Sequence, residues 1–425
     1  TQSRSSAASD VYKRQPWGRG RCMTIARAFL TSIFNRSQKA VSRGKDERIA
    51  LRLTESSCPE FFSLRSIEDA RAFRSELELA ERSGAIEIKA KVMVQPPLDV
   101  AGVAVLNLAK LANFLGARLR RDSVSEARSM LDTHTGLFPV LTEVIERWSL
   151  GHKVRGQEAT DASVAQILDA IRLISARRGV VRDELLRRVS AMMFGDSKRV
   201  EGIVKWIDLL WFNSIAPSGL DSSEVFSAIG LHKEPLPVLI SGPLTVVTST
   251  TVVGVVHPYL GFAPAHIAGF VPNPAVPSWR VLTIENRQTF HEFAEAASDQ
   301  VGLVLLYTGG MPSPSWRQVY MLILKSLPRQ TTQAFHFGDL DEGGMRIGAV
   351  IAGSAAEAGF TLKPWLMDPR ELIGLGYALK PTAESVSSAM SRTCRSIGWN
   401  DLAIHVETHP GTLEQEVLLP QFPGS

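Results

Sequence analysis

The sequence predicts a multidomain protein of mixed α/β and α+β class, with helical amino-terminal regions and a carboxyl-terminal domain built on a parallel sheet. In the last third of the chain, apolar runs typical of buried strands alternate with helical patterns. Strands that alternate with helices form parallel sheets with right-handed crossovers. In the first third, a helical pattern and a turn precede a half-buried strand. A chain of 425 residues is long enough for two or three such domains.

The first predicted domain, residues 23–121, is basic, with 17 Lys/Arg against 11 acids. Residues 66–82 show helical spacing, a Ser-Gly turn follows, and residues 85–92 alternate apolar and mostly charged side chains. Helix, turn and charged strand resemble the end of a winged-helix domain. Basic groups on such a domain suit the phosphate backbone of double-stranded DNA. The candidate phosphate contacts here are Arg71, Arg74, Lys89 and Lys91. Ordinary solvated faces, or a protein-docking role, remain the alternatives.

The other predicted boundaries follow changes in composition. Residues 1–22 are expected to be a non-native or disordered leader, because they resemble translated adapter sequence. Residues 122–245 are predicted to form a helical middle domain, in which Lys198 and Arg199 are further candidate DNA contacts. Residues 246–278 contain strand-like runs and several prolines, which indicates a connecting segment. Residues 279–425 then form the catalytic domain.

Acidic residues follow two strands of this last domain. Residues 281–284 read as a buried strand that ends at Glu285, and an apolar run at 334–337 leads into the turn 338–344, which holds Asp339 and Asp341. The carboxyl ends of parallel strands share one edge of a sheet, where ligands bind. Carboxylate oxygens are the ligands that hard cations prefer. We therefore predict that Glu285, Asp339 and Asp341 bind Mg²⁺ or Mn²⁺ and carry catalysis. A glutamate at one strand end, followed by Asp-x-Asp two strands later, is the acidic signature of a Toprim fold. Plain solvated strand ends are the alternative.

Three segments carry a more specific resemblance, in the order expected: Ile284-Glu285-Asn286, residues 307–313 and residues 337–344. They resemble motifs of the nuclease subunit of the Wadjet defence system, the JetD family. Segments 193–199 and 413–416 are also similar to that family. The resemblance implies a metal-dependent endonuclease that cleaves invading circular DNA together with a condensin-like SMC complex. It also implies a homodimer with the architecture of type IIB topoisomerase A subunits.

The resemblance extends the predicted site. Glu416 becomes a further metal ligand, and four residues are expected to support the ligands from around the site: Asn286, Glu342, Glu414 and His336. His336 occupies a position where an aromatic residue is expected. Glu414 and Glu416 as ordinary solvent-facing acids remain the alternative.

Several features that the sequence lacks limit the functions that it could have. The three cysteines have neither zinc-site nor disulfide-framework spacing, and no apolar run is long enough to span a bilayer, so a cytoplasmic protein without membrane contact is expected. Between residues 23 and 250 there is no tyrosine, so the basic domain has no tyrosyl nucleophile and hydrolysis by a metal-activated water is expected. Two other functions stay open: a non-enzymatic DNA-binding or docking subunit, and topoisomerase-like cleavage through Tyr259 or Tyr307.

Overall fold

The computed structural model describes residues 19–424. The predicted leader, residues 1–22, therefore lies outside the described residues apart from its last four, which begin the first helix. The chain is about 48% helix and 16% strand, which confirms a mixed α and β protein. It divides into two compact units, one ending at Val164 and the other beginning at Ala165. None of the helices within residues 19–424 combines the length and apolar composition needed to cross a bilayer.

The first unit begins with a helix, a strand, two helices and two strands, and continues with further helices. Its elements are α1 Arg19–Val41, β1 Ala50–Arg52, α2 Pro59–Phe62, α3 Ile67–Arg82, β2 Ile86–Ala90, β3 Val100–Val105, α4 Leu108–Leu115, α5 Arg120–Leu131, a 3-10 turn Asp132–His134 and α6 Val140–Ser149. The three strands form one antiparallel sheet in the order β1-β3-β2. The helix and strand predicted at 66–82 and 85–92 are therefore present as α3 and β2.

Local signals explain these elements. The Ser66 side chain accepts the Asp69 N–H and caps α3, whose apolar positions Phe73 and Leu77 are fully buried. In β3, a Cβ on Gly102 would lie 2.3 Å from the Leu51 carbonyl oxygen, so only glycine lets β1 pair this closely.

The second unit begins with helices and two short parallel strands. These elements are α7 Asp161–Arg177, within which the division falls, β4 Glu184–Leu185, α8 Leu186–Phe194, α9 Arg199–Gly202, α10 Val204–Trp211, α11 Ser222–Ala228 and β5 Leu231–His232. Helix α11 begins with a capping box, in which Asp221 and Glu224 each accept the other's backbone N–H.

Sheet-forming segments occupy the rest of this unit. They are β6 Val238–Ser241, β7 Leu244–Thr248, β8 Val252–Gly254, β9 Leu260–Phe262, a 3-10 turn Pro264–His266, β10 Ile267–Pro272, β11 Trp279–Ile284, α12 Arg287–Ala296, β12 Leu303–Tyr307, α13 Pro314–Ser326, a 3-10 turn Arg329–Thr331, β13 Thr332–Phe337, α14 Glu342–Glu357, β14 Leu362–Pro364, α15 Pro369–Gly374, α16 Glu384–Ser396, α17 Asn400–Thr408 and a 3-10 turn Gln415–Val417. Strands β7, β8 and β10 form a small antiparallel sheet.

The larger sheet has six strands in the order β14-β13-β11-β12-β6-β9. Four of them, β14, β13, β11 and β12, are parallel as predicted, whereas β6 and β9 add antiparallel pairs at one side. The central strands are apolar on both faces, with Val281, Leu282 and Ile284 fully buried, because helices cover the parallel part. The sheet thus includes β6 and β9, which precede residue 279 in the chain.

Candidate active site

The acidic residues lie where two neighbouring parallel strands end. Ile284, the last residue of β11, is in register with Phe337, the last residue of β13. The Glu285 backbone N–H donates to the Phe337 carbonyl at 3.2 Å, and the Asp339 N–H donates to Glu285 Oε2 at 3.3 Å. Register therefore brings together two acids that are 54 residues apart in sequence, as the parallel-sheet argument predicted.

The turn that carries Asp339 and Asp341 leads directly into α14. The Asp341 side chain caps this helix by accepting the Gly344 N–H at 2.7 Å. A Cβ on Gly344 would lie 2.1 Å from the Asp339 carbonyl oxygen, so the turn needs glycine there. The Asp341 carboxylate is thus held at the amino terminus of α14, where the helix dipole favours negative charge.

A segment near the carboxyl terminus closes over the two strand ends. Leu413 and Leu340 exchange backbone hydrogen bonds, which fixes this segment beside the acidic turn. Gln415 is fully buried there: its side chain donates to the Phe337 carbonyl at 2.5 Å and accepts the Asn286 N–H at 2.9 Å. Its own backbone N–H donates to Asp339 Oδ1 at 2.8 Å. Gln415 therefore links both strand ends to Asp339.

Glu416 is the residue after Gln415, and its Oε1 accepts a hydrogen bond from Asn286 Nδ2 at 2.6 Å. The structure thus brings Glu416 and Asn286 to the predicted site. Two other predicted acids form ion pairs with basic side chains instead. Glu414 pairs with Lys380 at 2.6 Å, and Glu342 pairs with Arg346 one turn along α14 at 2.5 Å.

His336 lies beneath the site on β13 and is fully buried. Its Nδ1 is 2.9 Å from Thr283 Oγ1, and within the described part of the chain its Nε2 has no hydrogen-bond partner. Burial lowers the pKa of His336 to about 3, so the ring is neutral. A Cβ on Gly338 would lie 2.7 Å from His336 Nε2 and 3.0 Å from Glu285 Oε2. Both atoms therefore border Gly338 on its side-chain face.

One acid near the site was not predicted. Gly310 lies in the turn that follows β12, and a Cβ on it would lie 2.7 Å from Oε1 of Glu224 in α11. A Cβ on Gly219, just before α11, would approach Glu342 and Gly343 at 3.9 and 4.0 Å. Burial raises the pKa of Glu224, and the nearby charge of Asp341 adds to that rise. The Asp-x-x-Glu spacing of the capping box signals a helix start, but nothing in the sequence places that helix beside the acidic turn.

The site crowds negative charge into a partly buried region. Burial raises the pKa of Glu285 well above its usual range, and the charge of Asp339 raises it further. Burial raises the pKa of Asp339 to about 6; the Gln415 N–H opposes this rise, whereas Asp341 and Glu416 add to it. A bound cation would relieve this repulsion.

The donor set fits a hard divalent cation, because Glu285, Asp339, Asp341 and Glu416 offer only carboxylate oxygens. Within residues 24–424, however, no three His, Cys, Asp or Glu side chains are already gathered closely enough to hold a metal ion. Asp339, Asp341 and Glu416 instead each accept a hydrogen bond from a backbone or side-chain N–H. Binding of a metal ion by these four acids therefore remains a prediction.

Of the four predicted DNA contacts in the first unit, two form ion pairs with acids and a third is exposed. Arg74 is held by Glu78 at 2.9 Å and by the buried Asp99, with only 20% of its side chain exposed. Lys89 pairs with Glu87 at 2.5 Å. Lys91 is exposed at the end of β2. Arg74 thus has a structural ion pair whatever else it does.

The remaining predicted DNA contacts also include both exposed residues and a residue that is paired with an acid. Arg71 is exposed on α3. In the second unit, Arg199 pairs with Asp169 at 2.6 Å, whereas the neighbouring Lys198 is exposed. Contact of any of these residues with DNA remains a prediction.

Fold and site together define an α/β protein with an acidic cluster at the carboxyl edge of a largely parallel sheet. A family model described as Wadjet protein JetD, C-terminal, matches residues 271–419, which include all the acids that β11 and β13 carry to the site. The Wadjet protein JetD of Bacillus cereus (strain Q1) is 23% identical over 260 residues, 59% of this chain. The match spans 61% of that relative, or about three-fifths of its length. Residues 271–419 thus match the carboxyl-terminal model of the JetD family, and both comparisons support membership of the chain in that family.

Proposed function

We propose that this protein is a metal-dependent DNA endonuclease of an anti-plasmid defence system, with a Toprim catalytic domain. The observation that carries the proposal is the placement of Glu285, Asp339 and Asp341 just after the carboxyl ends of β11 and β13, with Glu416 bonded to Asn286 beside them. This edge is where ligands bind in open α/β sheets. An all-oxygen set of acids suits phosphodiester hydrolysis, in which a cation must offset the charge of the reacting phosphate.

Mg²⁺ or Mn²⁺ would be held by Glu285, Asp339, Asp341 and Glu416. When bound, it would lower the pKa of a coordinated water and neutralise charge on the phosphoryl group. The protein's own contribution is positional. Gln415 fixes Asp339 and both strand ends, and Asn286 holds Glu416. Such supporting hydrogen bonds orient metal ligands and are often needed for full affinity.

Hydrolysis is favoured over a covalent tyrosyl intermediate. Tyr307 ends β12 close to Glu285, but burial raises the pKa of its phenol, and the Glu285 charge adds to this rise. A raised pKa makes the phenolate nucleophile harder to form. The Tyr259 hydroxyl lies 2.7 Å from His291 Nδ1, and its ring packs against Phe290.

The first unit is proposed to be a winged-helix domain that binds double-stranded DNA. Its element order, from α1 through β3, and its antiparallel β1-β3-β2 sheet support this assignment. The family membership supports the remaining proposals: invading circular DNA as the substrate, a condensin-like SMC complex as the partner, and a homodimer whose two sites cut both strands.

The test is an assay of supercoiled plasmid with the protein and its condensin-like complex in Mg²⁺, in Mn²⁺ or in a chelator. Products are separated under denaturing conditions with and without protease. We expect nicks or breaks that need the divalent cation and carry no attached protein. Cleavage that persists in the chelator would overturn the metal-dependent mechanism, and a protease-sensitive adduct would replace hydrolysis with tyrosyl transfer.

A further inference from the structure

The helix predicted to contact DNA is not the most basic surface of the first unit. Helix α3 carries five acids and three arginines, a net charge of −2. By contrast, residues 36–48 at the end of α1 carry five Lys/Arg and two acids, and residues 118–128 around the start of α5 carry four Lys/Arg and two acids. The excess positive charge therefore lies at the end of α1 with the residues that follow it, and around the start of α5.

A cavity of about 680 Å³ opens between the end of α1, the start of α5 and the end of α6. Three arginines line it, Arg120, Arg121 and Arg128, and we call this feature the arginine cleft. Its lining includes one acid, Glu47. The net charge of the lining is thus positive, unlike that of α3.

Arg120 is held in the lining of the cleft by hydrogen bonds. Its backbone N–H donates to Gln38 Oε1 at 2.5 Å, and its guanidinium donates to Ser42 Oγ at 3.2 Å. A Cβ on Gly151 would lie 2.7 Å from the same guanidinium, so the turn after α6 leaves room for it. Within residues 24–424, Arg120 and Arg128 form no ion pair with a carboxylate, and Arg121 has only its neighbour Asp122 at 3.5 Å. Their charge is therefore available to an anion.

The spacing of these cations selects an extended anion. Arg121 and Arg128 are seven residues apart, so they lie on one face of α5, separated by about 10 Å along the helix axis. A single phosphate group cannot bridge that distance, whereas the phosphates of a DNA strand follow one another every ~3.4 Å along the duplex axis. The exposed side chains of Arg121 and Arg128 leave the cleft accessible to a duplex.

We propose that the arginine cleft binds the phosphate backbone of double-stranded DNA and supplies most of the DNA affinity of the first unit. The proposal rests on the proposed nuclease function and names the surface that it uses. It assigns α3 a smaller share, because the arginine most central to α3 is tied to Asp99 and the helix is net acidic.

The test measures the binding of a fluorescent duplex by anisotropy, in a chelator so that no cleavage occurs, over a series of salt concentrations. The cleft variant is R121E/R128E, and the matched control is R71E/R82E, which reverses two exposed arginines of α3. All four side chains are exposed, and a thermal melt checks that both variants fold. R128Q alone provides a milder second cleft variant.

We expect the cleft variant to bind on the order of tenfold more weakly near 0.1 M salt, with a salt slope flatter by about 0.9 for each phosphate that the protein no longer neutralises. The α3 variant should change both quantities much less. Unchanged affinity and slope in the folded cleft variants would overturn the proposal. The same anisotropy assay is repeated with fluorescent polyglutamate. Cleft variants that lose polyglutamate binding but keep wild-type DNA binding would also overturn the proposal, by assigning the cleft to an acidic protein. If the wild-type protein binds no DNA at any salt concentration, the nuclease proposal itself fails.

Discussion

The Glu285 carboxylate accepts the backbone N–H of Asp339 at 3.3 Å, which ties the end of β11 to the acidic turn after β13. Gly338 makes this approach possible, since a Cβ there would meet Glu285 Oε2 at 3.0 Å and His336 Nε2 at 2.7 Å. The position of the Glu285 side chain therefore depends on a residue that carries no side chain.

Gly338→Ala should displace the Glu285 carboxylate. Because a misplacement of about 1 Å at a reacting centre can cost roughly a hundredfold in rate, we expect a loss of cleavage on that order. The measurement is the rate of plasmid cleavage, with Gly353→Ala as the control. A Cβ added to Gly353, in α14, would have no neighbour within 4 Å, so alanine there should leave the rate unchanged. Equal rates for both variants would show that Gly338 has no such role.

Gln415→Ala should weaken both the fold and the proposed metal site. Removing this buried side chain leaves the Asn286 N–H without its partner, at about 1–3 kcal/mol, and takes away one of the two hydrogen bonds that the Phe337 carbonyl accepts. Loss of a supporting hydrogen bond should also lower Mn²⁺ affinity by roughly 10- to 100-fold. Urea unfolding and calorimetry measure the two effects. The exposed Gln421, changed to alanine, is the control, and a Gln415 variant that matches it in both assays would refute the linking role.

Stability should depend on pH through Asp339. Its pKa rises from 3.8 to about 6 on folding, so the folded chain holds the proton to a higher pH than the unfolded chain. This contribution to stability is present at low pH and is lost as the pH rises through that window. In a metal-free buffer, Asp339→Asn should therefore reduce the loss of unfolding free energy between about pH 4 and about pH 7. An identical pH profile in the variant would contradict the shift.

Arg74 should matter for folding more than for DNA. Arg74→Ala leaves the buried Asp99 without its ion-pair partner, and we expect a loss of about 1–3 kcal/mol in unfolding free energy. Lys91→Ala, at an exposed site, should change stability by less than about 0.5 kcal/mol. Thermal and urea melts compare the two, and equal stability would mean that the Arg74–Asp99 pair contributes nothing measurable.

Local patterns predict the parts of the fold that have local causes. Apolar runs and glycine positions indicate the strand at 281–284 and the acidic turn before α14, and the parallel order follows from the alternation of strands and helices. The antiparallel strand β6 was not predicted. It has only four residues and is flanked by Pro237 and Pro243, and its pairing with Leu305 and Leu306 makes it a strand.

The candidate site, like the fold, was predictable only where it follows from local patterns and strand order. Acids at strand ends share an edge by topology, so Glu285 and Asp339 could be paired in advance. The contribution of Gln415 depends on hydrogen bonds that span 129 and 78 residues, which no periodicity encodes. Glu224 reaches the site through tertiary packing of α11, and its sequence signal is only that of a helix cap.

The proposed mechanism depends most on Glu285. The most direct measurement is the rate of Mg²⁺-dependent cleavage of supercoiled plasmid by the wild-type protein, Glu285→Gln and Glu357→Gln, each with the proposed condensin-like partner complex. Glu357 is an exposed glutamate at the far end of α14 and serves as the matched control. We predict that the wild-type protein and Glu357→Gln cleave at similar rates, whereas Glu285→Gln folds normally and loses at least about a hundredfold in rate. Wild-type cleavage by folded Glu285→Gln would contradict the assignment of the acidic edge as the active site.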